Sequence, residues 1–307
     1  MATTLTTGLT NLLDPGLAEA FIDGMVSGVD GLDTLFNVEA TDSNTIESAG
    51  VNPAGAYIGT SEGGTISTRS LEEGYKKTYT HSSYSYGLAM SRKAYLTARA
   101  KFSVLADYYQ SMGFSNGQKI AELCWSIFTG AFSDTSTADG VTLCSASHPT
   151  TSSSSTFDNT SSTSLGATSL GDAIVALESQ TTPDGLKMAV NPTHLVVSLT
   201  DRAEAHTITQ SVFEHSTGPT AAGRTVYNSY TSQMGIGVLA SKYLTSTTDW
   251  FLVDQAMTKK SMNCYILQGF DPEVVERHPD THSYQVTDLL VAAVGFDSWR
   301  GVFGADV

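Results

Sequence analysis

Between Gly64 and Tyr95 the chain reads GTISTRSLEEGYKKTYTHSSYSYGLAMSRKAY, an alternating pattern with no apolar side. Spacing of two points to strands, because successive side chains of a strand leave on opposite faces. Tyr75, Lys77, Tyr79, His81 and Ser83 share one face, while Lys76, Thr78, Thr80, Ser82 and Tyr84 share the other. The expected elements are strands over about 64–71 and 75–90, joined near Glu72-Glu73-Gly74. Neither face can bury a core of its own, and an isolated hairpin of this kind is marginal in water. The segment therefore reads as a projection that lies on something else.

The first 50 residues read as a thin arm. Leu17, Phe21, Ile22 and Met25 give a short helix over 17–26 that breaks at Gly28 and Gly31, and Thr34–Ala40 is a short extended piece. The following TDSNTIESAGVNPAG is polar and turn-rich. Ordering such a segment costs about 1–2 kcal/mol per residue, which leaves two readings open: contacts with a partner, or a loose terminus.

Tyr95–Phe132 carries the strongest helical signal. Phe102, Leu105, Ala106, Tyr109 and Met112 form one apolar stripe, and Ile120, Leu123, Cys124, Ile127 and Phe128 form another. The glycines of Ser111-Met112-Gly113 and Ser115-Asn116-Gly117 are expected to break it in two, and Gly130 to close it. The Ser/Thr tract over 150–164 is expected as a surface loop. A helix over 169–180 then stops at the turn Thr181–Gly185. Strands are expected over 188–191 and 194–199, and a helix from Thr200 or Asp201, as N-cap, to about Val212. Gly235–Leu239, Tyr243-Leu244 and Trp250–Val253 complete an α/β layer, before long strands over 262–267 and 283–294.

Chemistry is sparse. The 16 Lys and Arg against 31 Asp and Glu give a net charge of −15, which disfavours coating a phosphate backbone but suits a container that does not adhere to its contents. Charged residues make up only 15%, below the usual quarter, so much surface is neutral or covered by partners. Cys124, Cys144 and Cys264 show neither a disulfide framework nor a zinc spacing and are expected as reduced, mostly buried thiols. None of the seven histidines forms an HExxH pair, and Pro279 interrupts His278 and His282. No nucleophile elbow or phosphate loop occurs, and Gly235-Ile236-Gly237 is only a fragment of a dinucleotide motif. No catalytic residue, cofactor or metal is expected. The start lacks a signal peptide pattern, and no window reaches the roughly 18 apolar residues of a membrane span.

The order of these features resembles the major head proteins of tailed bacteriophages with the HK97-like fold. The resemblance spans about residues 50–300. It rests on GLAMSRKAY (87–95), CWSIFTGAF (124–132), SASHPT (145–150), SLGDAIVALESQTTPDG (169–185), NPTHLVVSL (191–199) and TTDWFLVD (247–254). It implies an α+β fold with an N-terminal arm (1–50), an extended hairpin loop (51–93) and a peripheral domain with spine helix and Ser/Thr-rich loop (94–169). An axial domain (170–260) and a C-terminal return to the peripheral domain (261–307) complete it. It further implies pentamers and hexamers closing an icosahedral head around double-stranded DNA without sequence-specific binding. Portal and scaffolding proteins are the implied partners, decoration proteins are a further candidate, and the location is the virion capsid after assembly in the host cytoplasm.

Contact candidates between subunits are Phe21 and Phe36 in the arm and Tyr75, Tyr79, Tyr84 and Tyr86 on the hairpin, since aromatics give large contact area at low rotamer cost. Lys76 and Lys77 are candidates for pairing with a neighbour's acids. Some related capsids cross-link a loop lysine to an asparagine, but neither lysine matches such a motif, so that chemistry is not carried over. The alternatives are a cellular encapsulating shell of the same fold and a small-molecule α/β enzyme with Gly235–Leu239 edging a ligand cleft. A tail-tube or adhesin subunit fits the helical middle less well.

Overall fold

The computed structural model describes residues 19–28, 32–51, 57–66, 68, 73–99, 102–134, 137–149, 156–182, 185–211, 213–215, 225–227, 234–269, 273–275 and 283–307. The helices are α1 (19–28), α2 (Arg92–Arg99), α3 (Phe102–Thr129), α4 (Ala167–Glu178), α5 (Arg202–Gln210) and α6 (Gln255–Ser261). The strands up to the middle of the chain are β1 (Asn37–Ala40), β2 (Thr45–Val51), β3 (Glu73–Thr80), β4 (Ser82–Ser91), β5 (His148–Pro149), β6 (Thr156–Phe157), β7 (Thr160–Ser161) and β8 (His194–Ser198). Those after it are β9 (Phe213–His215), β10 (Thr225–Tyr227), β11 (Gly237–Ser241), β12 (Trp250–Val253), β13 (Met262–Gln268), β14 (Glu273–Val275), β15 (Ser283–Phe296) and β16 (Val302–Ala305).

β15 organises the first sheet. One of its edges pairs with β4 from Ser283↔Ser91 to Ala292↔Ser82, and the other with β13 and then β14. β1 adds in parallel to β13. Alternate β15 residues Val286, Asp288, Leu290 and Ala292 are buried, as period-two geometry requires of a strand packed on one face. The second sheet runs β11-β8-β12-β16-β7. Both of its faces are covered, so its strands read as unbroken apolar runs. Val196, Phe251, Val253 and Val302 point into the core shared with α3, while Leu195, Val197, Trp250, Leu252 and Phe303 point into the core under α4 and α5.

α3 is one continuous helix of 28 residues, about 42 Å long at 1.5 Å per residue, and is not interrupted at Gly113 or Gly117. Interior glycine costs a helix roughly 1 kcal/mol relative to alanine, and here close packing offsets it. A Cβ on Gly113 would come within 2.0 Å of the Phe21 carbonyl oxygen of α1, and one on Gly24 within 2.1 Å of the Gln110 carbonyl oxygen. The two helices cross backbone to backbone through Gly24 and Gly28 on one side and Gly113 and Gly117 on the other. Farther along α3, Phe36 meets Trp125 and Phe128 edge-on, and Phe128 meets Phe251, tying both sheets to one helix.

Several expectations are corrected. Residues 64–66 and 68 are not in a strand, and the stretch expected as one strand over 75–90 is two, β3 and β4, separated at His81. β3 pairs with β2, from Thr45↔Thr80 to Val51↔Glu73, so the polar turn-rich segment after Ala40 supplies half of the ribbon. Residues 188–191 are not a strand; their neighbourhood is held by single bonds such as Met188 N–H to the Gln180 carbonyl and Asn191 N–H to Asp254. Asp201 stands at the N-cap of α5, but its side chain makes no capping hydrogen bond. The segment after residue 260 divides: β13 and β15 enter the first sheet, whereas β16 joins β12 in the second. The Ser/Thr tract, described from Thr156 on, contributes β6 and β7 rather than loop alone. His278 and His282 lie outside the described residues.

Candidate assembly surfaces

The β2–β3 ribbon is anchored at its root. Asp297, just past β15, accepts hydrogen bonds from the Tyr79 hydroxyl at 2.6 Å, from the Ser48 hydroxyl at 2.9 Å and from Asn263 Nδ2 at 3.0 Å. Tyr79 is buried and meets Tyr265 edge-on at 5.1 Å. Burial, and then the hydrogen bond to Asp297, raise its hydroxyl well above the ordinary tyrosine value. Gly295 makes room for this ring, since a Cβ there would lie 2.9 Å from Tyr79 Cε1. His81 Nδ1 contacts the Asn44 carbonyl at 2.7 Å and closes the ribbon where β3 turns into β4.

Lys76 pairs with Glu47 across the strands at 2.6 Å, with both side chains more than half exposed, an arrangement worth about 0–1 kcal/mol. Beyond it, Tyr57, Ile58 and Ile66 are 105%, 66% and 77% exposed. All three lie in the connection between β2 and β3.

A second anchor lies beside the ribbon. His148 is fully buried, stacked on Trp299 with centroids 4.2 Å apart, and its Nδ1 lies 2.9 Å from Asp139 Oδ2. Its Nε2 lies 3.1 Å from Asn159 Oδ1, which also accepts from the Ser145 N–H. Asn159 Nδ2 donates to the carbonyls of Leu143 and Val302, so this one amide joins the Ser/Thr tract to β16. Burial works to raise the Asp139 carboxyl, but hydrogen bonds from His148, Thr137 and the Val141 N–H outweigh it and hold the group below its ordinary value. Arg300 lies over the Trp299 ring at 4.7 Å and donates to the Thr181 carbonyl.

The contact candidates separate by environment. Phe21, Phe36 and Tyr79 are buried within the chain. Lys77 is half-buried with its ammonium 5.9 Å from the Tyr79 ring centroid, and burial lowers its pKa. Tyr84 is half-buried beneath Lys119, Tyr75 is half-buried, and Lys76 and Tyr86 are exposed. Alternation alone could not find Asp297, Ser48, Asn263 or Asn159, which are single polar residues in polar surroundings. Tyr57, Ile58 and Ile66 carried a usable signal, being apolar residues in a segment with no apolar neighbours. Gly235 forms a positive-φ turn (65°) before β11, and Gly237 packs on the His194 ring, so the glycine fragment serves a turn and a strand start. Among the described residues no three His, Cys, Asp or Glu converge as a metal site, and no helix is long and apolar enough to cross a membrane.

The sequence model of a family described as phage capsid protein matches residues 74–305. No curated protein sequence matches the chain. Among solved structures, the fold is similar to the mature capsid of bacteriophage PhiM1, with a TM-score of 0.55 at 12% identity over 89% of this chain and 85% of that one. The capsid of Myoviridae phage XM1 gives 0.54 at 10% identity, covering 91% of each chain. A virus-like particle from Pyrococcus furiosus gives 0.50 at 9% identity, covering 94% and 96%.

Proposed function

The chain belongs to the phage capsid protein family, and from that premise we propose how its parts divide the work of building a shell. It is a structural subunit of the virion, a major capsid protein of the icosahedral head with the HK97-like fold, and it associates with copies of itself. The proposal concerns the finer assignment. Residues 1–50 act as the arm, the extended loop over 51–93, whose β3 pairs with β2 at the end of the arm, overlaps an adjacent subunit, and α3 is the spine of a peripheral domain built on the first sheet. The α4, α5 and second-sheet region, largely 170–260, forms the axial domain meeting its equivalents around five-fold and quasi-six-fold axes. Compatible symmetric contacts of this kind permit closure. Portal and scaffolding proteins are the partners that start and size the shell, and double-stranded DNA is its content.

The observation that carries the assignment is the ribbon, anchored at Asp297 and bare at Tyr57, Ile58 and Ile66. A free monomer gains nothing from holding three apolar side chains in water, whereas a neighbour that covers them gains about 25 cal/mol per Å² buried. Tyr86, Tyr75, Tyr84 and Lys76 flank the same overlap. Phe21, Phe36, Tyr79 and Lys77 serve it indirectly, by fixing the arm and the ribbon root from which contacts reach out.

Expression with a neighbouring scaffold gene followed by cryo-electron microscopy tests the assignment. Closed shells, or rings of five and six with the ribbon lying on the adjacent subunit, are expected. Shells in which residues 57–66 face solvent would overturn the overlap.

A further inference from the structure

His148, fully buried on β5, is bonded at both nitrogens of its ring. Nδ1 lies 2.9 Å from Asp139 Oδ2, and Nε2 lies 3.1 Å from Asn159 Oδ1. Both partners are acceptors. The Asn159 amide cannot turn over to offer its nitrogen, because Nδ2 donates to the Leu143 and Val302 carbonyls while Oδ1 accepts from the Ser145 N–H. Reversed, it would set its oxygen against two carbonyl oxygens and its own N–H groups against that of Ser145. Asp139 offers no proton either. Its other oxygen accepts from the Val141 N–H, and its hydrogen bonds hold the carboxyl below the ordinary value. A neutral imidazole has one N–H and one lone pair, so it would leave a nitrogen lone pair pointing at an oxygen lone pair inside the protein.

We infer that His148 is a buried imidazolium, with a proton on each ring nitrogen, and that this charge locks residues 137–149 and the β6–β7 stretch to β16. A buried charge persists when it is paired and hydrogen-bonded. Asp139, whose side chain is only 6% exposed, supplies the counter-charge, and the Trp299 face stacked at 4.2 Å adds a cation–π contact. Among the described residues, the charged or titratable groups that neighbour this pair from other elements are Arg300 and Tyr75. Arg300 sits 4.7 Å over the Trp299 ring and, as a like charge, opposes the second proton. The Tyr75 hydroxyl on β3 is raised by burial and by the Asp139 charge, so it stays neutral at the pH values used below.

Loss of the second proton changes the site in a defined way. The remaining proton stays on Nδ1, where the acceptor is a carboxylate and the hydrogen bond is the stronger of the two. Nε2 then presents a bare lone pair to Asn159 Oδ1, and the amide must draw away. Asn159 is the residue that joins Ser145, Leu143 and Val302, so the segment loosens from β16 as pH rises. The lock is closed on the acid side of this transition and open on the alkaline side. It rests on the geometry of the subunit alone, and its failure would leave the capsid assignment untouched.

Long-range proton–nitrogen NMR of the histidine rings in the full-length, unassembled subunit tests the charge at about pH 7.5, where an ordinary imidazole is neutral. The expected spectrum holds one ring with both nitrogens protonated, in contact with the Trp299 indole protons and absent from His148→Gln. Raising the pH should remove the second proton. Over the same range the Ser145 amide should exchange about tenfold faster relative to its intrinsic rate, the scale of losing one hydrogen bond to a charged group, while amides of α3 do not follow. A ring beside Trp299 with one protonated and one lone-pair nitrogen at that pH would overturn the inference. Ser145 exchange that ignores the loss of the proton, or a ring that keeps it until the whole subunit unfolds, would overturn the lock. The Trp299 contact assigns the ring even if His148→Gln does not fold.

Discussion

Asp297 Oδ1 accepts a 2.6 Å hydrogen bond from the Tyr79 hydroxyl across 218 positions of sequence. Through it the ribbon, which has no core of its own, is fixed at one end to the long strand that centres the first sheet. The same carboxylate accepts from Ser48 and Asn263, so one residue holds β2, β3 and β13 in register. Tyr79→Phe keeps the ring and removes one bond to a charged acceptor, which should cost about 1–2 kcal/mol. Asp297→Ala strands three donors and should cost about 2–4 kcal/mol. Urea unfolding of the unassembled subunit measures both.

The Tyr79 site also predicts an alkaline limit. Burial, then Asp297, favour the neutral phenol in the folded state. The stability this contributes is complete below the unfolded value of about 10 and is lost as pH rises above it. Stability measured against pH should therefore decline more gently above about pH 10 in Tyr79→Phe than in the wild type.

On the acid side the relevant group is Asp139. Its folded carboxyl sits below the ordinary value because His148, Thr137 and Val141 stabilise the anion against the opposing effect of burial. That contribution is present above about pH 4 and lost as pH falls below it. Asp139→Asn should be less stable at neutral pH and lose less on acidification. Parallel acid profiles for the two proteins would exclude the role.

Gly113→Ala distinguishes an exposed helix from a packed one by the sign of its effect. In an open helix the change stabilises by roughly 1 kcal/mol. Against α1, where the new Cβ would press on the Phe21 carbonyl, overpacking should instead destabilise by about 1–3 kcal/mol. Amide exchange in residues 19–28 should accelerate alongside.

Ribbon-tip substitutions should separate folding from assembly. Ile58→Asp and Ile66→Asp alter exposed side chains, so subunit stability should change by less than about 0.5 kcal/mol. Assembly yield should fall about tenfold or more, the response expected when a contact anchor is lost. Lys76→Ala should likewise leave the subunit within about 0.5 kcal/mol, because its partner Glu47 is exposed.

Elements whose own spacing or composition encodes them were legible in the chain. The run LVVSL is β8, WFLV is β12, and the Leu170, Ile174, Leu177 stripe is the buried side of α4. The long closing strands and the coreless alternating segment were visible for the same reason. The order of these pieces sufficed to suggest the capsid fold, which the family match supports. Misread were places where meaning comes from a distant partner. Gly113 looked like a helix break because α1 was not in view, and TIESAGV looked like loop because β3 was not.

The amino-acid sequence by itself determined which segments alternate, which are amphipathic, and that one segment could not bury its own faces. Side-chain period and apolar content are local properties, and they act before any partner arrives. Only the tertiary structure decided that β2 pairs with β3 and that Asp297 and Asn159 become hubs. Those outcomes depend on which distant backbones approach within hydrogen-bonding range. A single polar residue gives no sign of that until the core around it has closed.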